Sequence, residues 1–69
     1  MTQIERFVIL SSTGSGRIMP NRDDAMDALR ELYRESGRTG LSHELWHTSE
    51  SGEQTMLAIA TPGGMFVTN

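Results

Sequence analysis

The chain has 69 residues, of which 36% are apolar and 22% charged, and it contains no Cys. At this length roughly 60% of the unfolded surface is buried, so one small core needs support from a metal, close packing or a second subunit, disulfides being excluded. Six Arg against nine acidic residues give a net charge of −3 and a pI near 5.1, which argues against a phosphate-neutralising surface for nucleic acid and is too mild for a polyanion mimic.

Every basic residue is Arg. Between Glu5 and Arg38 six acids balance all six of them, so the net charge sits on Glu44, Glu50 and Glu53. No apolar run is long enough to span a bilayer, and the opening Met-Thr-Gln-Ile-Glu-Arg lacks the basic and apolar stretches of a signal peptide. A cytoplasmic protein with no membrane contact is expected.

Residues 4 to 11, Ile-Glu-Arg-Phe-Val-Ile-Leu-Ser, hold four large apolar side chains in a row, and the spacing predicts a strand apolar on both faces. Ser-Ser-Thr-Gly-Ser-Gly at 11 to 16 has the composition of a turn or loop. Arg17-Ile18-Met19 is expected to return as a short strand, ended at Pro20 and confined to an edge because Pro cannot donate to a ladder. Thr13 to Arg17 also has the glycines of a phosphate loop, but such a loop must open a helix, and Ile18-Met19-Pro20 comes next.

A helix is predicted over residues 22–36. Asn21 is the N-cap, Asp23, Asp24 and Asp27 suit the positive end of the dipole, Arg34 and Arg38 the negative end, and Gly37 the left-handed position beyond it. Ala25, Met26, Ala28, Leu29, Leu32 and Tyr33 form the apolar stripe. Asp27 with Arg30, Glu31 with Arg34 and Glu35 with Arg38 make a solvated face of ion pairs.

Leu45 to Thr48 is expected to run back through Thr55 to Ile59 around Glu50-Ser51-Gly52-Glu53. With Ser51-Gly52 as a two-residue turn, Trp46 pairs with Leu57, Leu45 with Ala58, His47 with Met56 and Glu44 with Ile59. Trp46, Leu57 and Ile59 then share one face. Leu45, Met56, Ala58 and Ala60 share the other, where small Ala residues let a helix approach. Glu50 opposite Glu53 is the weak point, at roughly a few tenths of a kcal/mol. Gln54 to Thr61 reads as one strand, Pro62-Gly63-Gly64 as a turn and Met65-Phe66-Val67 as a short last strand.

The motif that bears on chemistry is His43-Glu44-Leu45-Trp46-His47. It resembles the H-E-x-x-H signature of zincin metalloproteases, in which a helix sets both imidazoles on one zinc and the Glu activates the bound water. The resemblance implies His43 and His47 as metal ligands and Glu44 as general base. Three physical points weigh against it. No third His completes a catalytic zinc set, and Glu50 and Glu53 follow His47 too closely, with Glu50 standing where the extended metzincin pattern needs Gly. The chain is too short to form the family's substrate cleft. In a strand, residues four apart lie about 13 Å from each other, too far for one ion. Ser, His and Asp occur at no spacing that marks a nucleophile.

The expected fold is α+β: one domain over residues 1–69, with a small antiparallel sheet of four strands, or five with the last segment, in the order β-β-α-β-β(-β), and one amphipathic helix on one face. Because the strands are apolar on both sides, the second face needs a cover, most simply from a homodimer or higher homo-oligomer. The expected function is non-enzymatic: an intracellular module that binds another protein as a small regulator or inhibitor, through Trp46, Leu57 and Ile59, with no cofactor. Its size and Arg-only basic set fit a phage or bacterial accessory protein. The alternative is a minimal zinc hydrolase.

Overall fold

Turn chemistry and apolar alternation yield six elements: β1 (Arg6–Ser11), β2 (Gly16–Met19), α1 (Arg22–Thr39), β3 (His43–Thr48), β4 (Gln54–Thr61) and β5 (Gly64–Val67). They are seen in a computed structural model that describes residues 4–68; the N-terminal reading, where it rests on residues 1–3, lies outside them. All neighbouring strands are antiparallel, in the order β2-β1-β3-β4-β5. The fold is a small α+β unit whose sheet has five strands, with the helix packed on it.

Two hairpins use the same turn. In the first, the Ser11 N–H donates to the Ser15 carbonyl at 2.9 Å and the Gly14 N–H to the Ser11 carbonyl at 2.9 Å. In the second, the Ser49 N–H donates to Glu53 at 2.8 Å and the Gly52 N–H to Ser49 at 2.9 Å. Both loops need one left-handed residue, which glycine supplies at φ 93° in Gly14 and 91° in Gly52. This corrects the expected two-residue Ser51-Gly52 turn: Ser49 rather than Glu50 faces Glu53, and the like-charge pair does not form. The Thr13 to Arg17 segment leads into β2 and not into a helix, so it has none of the geometry of a phosphate loop.

The β3–β4 register also differs from the expected one. Leu45 pairs with Ala58 and Glu44 with Ile59 as predicted, but Trp46 pairs with Met56 and His47 with Thr55. Leu57 is therefore the extra residue of a β-bulge, and it packs against the core instead of opposite Trp46. Beyond β5 the chain secures this bulge: the Thr68 N–H donates to the Leu57 carbonyl at 2.8 Å and the Thr68 hydroxyl to the Met56 carbonyl.

Asn21 caps α1 as predicted, its Oδ1 accepting from the Asp24 N–H at 2.8 Å. The helix continues past Ser36, however, and ends at Gly40, whose φ of 74° supplies the left-handed cap and whose N–H donates to the Ser36 carbonyl at 2.8 Å. Gly37 is interior. The extra turn keeps Ser36 in the buried stripe with Ala25 and Leu29, and its hydroxyl is satisfied by donation to the Leu32 carbonyl at 3.1 Å. Tyr33, assigned to the stripe, is instead 39% exposed. The three predicted ion pairs form at 3.0, 3.3 and 3.2 Å on the wet side, where each contributes only about 0.3–0.5 kcal/mol.

The helix lies chiefly over β3 and β4. Ala58 and Ala60, both fully buried, bring it close to the sheet, and the core comprises these with Phe7, Ile9, Ala25, Leu29 and Leu45. Of the larger apolar side chains, Ile9, Leu29 and Leu45 are fully buried. At about 1.5–3 kcal/mol each, so few give a narrow margin of stability.

Candidate functional site on the open sheet face

Alternation along the strands sends Phe7 and Ile9 toward α1 and leaves Val8 and Leu10 on the opposite side. The same parity, carried through the pairings, collects Arg6, Ile18, Glu44, Trp46, Thr48, Gln54, Met56, Ile59 and Phe66 on that side. Helix α1 packs on the other face of the sheet. Among the described residues nothing shields the open face, which is largely apolar, with Ile18 69%, Phe66 60% and Leu10 42% exposed.

Trp46 lies near the middle of this face on the central strand, half-buried, and its indole N–H donates to Oε1 of Glu44 at 3.0 Å. Beside it is a shallow depression of about 320 Å³ lined by Val8, Leu10, Glu44, Trp46, Thr48 and Gln54. A broad apolar floor with one aromatic anchor and a few polar groups at its margin suits another protein's surface better than an enclosed small molecule.

Of the residues expected to bind a partner, Trp46 and Ile59 lie on this face. Leu57 does not: the bulge turns it to the core and puts Met56 beside Trp46. Met56, Val8, Leu10, Ile18 and Phe66 join the face. The β1 run and the β3–β4 hairpin predicted an apolar second side, but no sequence signal marked the bulge that exchanges Met56 for Leu57.

The H-E-x-x-H residues occupy extended β3. His43 and His47 point to the helix side, about 13 Å apart along the strand, while Glu44 points to the opposite, open side. Each ring has its own partner. His43, only 4% exposed, has Nδ1 2.6 Å from the Ser11 hydroxyl. His47 stacks on Phe7 with ring centroids 4.9 Å apart. Its Nε2 lies 3.0 Å from Oε1 of Glu5, within ion-pair distance but outside hydrogen-bonding geometry, so that buried nitrogen has no hydrogen-bond partner among the described residues. A base on one face cannot serve a metal held on the other, and among the described residues no three His, Cys, Asp or Glu side chains converge as a metal site.

No protein-family model matches the chain, and no curated protein or solved structure matches it significantly.

Proposed function

We propose that the protein is a non-enzymatic module that acts by binding another protein through its open sheet face, as a small regulator or inhibitor does. The observation that carries this reading is the apolar face around Trp46, which α1 leaves uncovered. An exposed apolar patch of this extent on a small chain is costly in water, and docking a partner with a matching apolar surface recovers that cost. Trp is also the residue type most enriched among interface anchors.

The charge pattern supports a protein partner over nucleic acid. Three of the six Arg residues are paired with acids along α1, and the net charge of −3 repels phosphate. The absence of Cys fits a reducing compartment. Among the described residues no helix is long and apolar enough to cross a membrane, and a cytoplasmic site of action belongs to the same reading.

The test is in-cell crosslinking in cells that make the protein, followed by reconstitution with each purified candidate partner. Trp46→Ser and Ile59→Ser are expected to abolish a 1:1 complex that Arg30→Ala, on the wet side of α1, retains. A complex that survives both face substitutions overturns the reading.

A further inference from the structure

The pairings place one continuous row of apolar side chains across four strands. Ile18 is opposite Val8, Val8 is opposite Trp46, and Trp46 is opposite Met56. Met56 completes this row because of the bulge. The two charged strand residues that parity assigns to the open face flank the row diagonally. Arg6, opposite Thr48, lies on one side of it, and Glu44, opposite Leu10, on the other. Among the described residues neither has an ion-pair partner.

We propose that a second copy of this chain covers the open face, packed sheet to sheet about a two-fold axis that runs along the Ile18–Val8–Trp46–Met56 row. This rests on the reading of the open face as a binding surface: the second copy covers it when the partner protein is absent, and the two compete for it. A two-fold along that row sets each of its apolar residues against its own copy. It also exchanges the two flanks, so Arg6 of one copy meets Glu44 of the other, twice. An axis parallel to the strands leaves both charges without a partner. The pattern is thus self-complementary in one orientation, and two long side chains can bridge the ~10 Å between stacked sheets.

The size of the face sets the strength. Five strands about 4.8 Å apart, some five residues long at about 3.3 Å each, present on the order of 400 Å² per copy. Pairing two copies buries about 800 Å² in all before side-chain relief is counted, the size of a weak, transient interface. The dimer is therefore weak, is populated at high micromolar concentration and weakens further as salt screens the Arg6–Glu44 pairs.

The test is sedimentation of the full chain at high micromolar concentration, with Arg6→Glu and Glu44→Arg prepared separately and then mixed. Each variant alone sets like charges against each other twice and is expected to dimerise about ten-fold more weakly. The equimolar mixture restores both attractive pairs and is expected to regain wild-type association. A wild-type chain that stays monomeric overturns the inference, and so does a mixture no tighter than its components.

Should Glu44→Arg fail to fold, Ile18→Cys offers a second measurement. In a chain without other Cys, a short bis-maleimide should link two copies through position 18 and not through Arg30→Cys, and equal linkage at both positions overturns the axis. A monomeric wild-type chain whose partner binding is lost in Trp46→Ser overturns this inference alone. A dimer whose partner complex ignores Trp46→Ser overturns the proposed function alone.

Discussion

Trp46 and Glu44 stand two residues apart on β3, and the indole N–H of the one donates to Oε1 of the other at 3.0 Å. The contact holds a large aromatic against its own strand and fixes its orientation on the open face. It also occupies the carboxylate that the H-E-x-x-H pattern assigns to water activation. Glu44→Ala should lose about 0.5–1.5 kcal/mol in urea unfolding and shift the Trp46 fluorescence. Glu44→Gln, which keeps an acceptor, should stay within about 0.5 kcal/mol of the parent. Equal losses for the two would show that the hydrogen bond carries none of the effect.

Ser11 and His43 form a second pair, across β1 and β3 beneath the helix. His43 is almost wholly buried, so its Nδ1 depends on the Ser11 hydroxyl. Ser11→Ala leaves that nitrogen without a partner and should cost about 1–3 kcal/mol. Replacing both, as Ser11→Ala with His43→Leu, removes the polar demand altogether and should recover most of the loss. A double variant no more stable than the single one would argue that the site cannot repack around Leu.

The end of α1 marks where sequence and structure part. Gly37 is followed by Arg38 and Gly40 by Leu41, and either glycine suits a left-handed cap. Ser36 looks like a surface residue, yet it is fully buried and satisfies its hydroxyl within the helix. Only the packed sheet distinguishes the two endings. Gly37→Ala, in open helical backbone, should therefore stabilise the chain by about 0.5–1 kcal/mol, whereas Gly40→Ala at φ 74° should destabilise it by about 1 kcal/mol. Thermal melts of the two variants moving in the same direction would contradict the observed cap.

Much of the remaining fold was legible because its signals are local. Asn21 caps, Pro62-Gly63 turns, and Ala58 and Ala60 mark the strand on which a helix can rest. The apolar second face followed from Val8 and Leu10 alternating with Phe7 and Ile9. The bulge was not legible. Leu57 and Met56 are both large, unbranched at Cβ and apolar, so neither hydrophobicity nor shape tells which one faces Trp46. That choice is made by the three-residue loop closed between Ser49 and Glu53, which shifts the register by one, and by Thr68 bonding to the bulged backbone.

The same pair supplies a direct measurement of the register. If Leu57 packs into the core, Leu57→Ala should cost about 1–3 kcal/mol, at the lower end for Leu because it is only partly buried. It should leave association through the open face intact. Met56→Ala should do the reverse, changing stability by less than about 1 kcal/mol while weakening self-association and partner binding, since Met56 extends the apolar row beside Trp46. The two variants measured together by urea unfolding and sedimentation separate the registers. In the register without a bulge, Leu57 faces Trp46 and Met56 the helix, and the two effects would trade places.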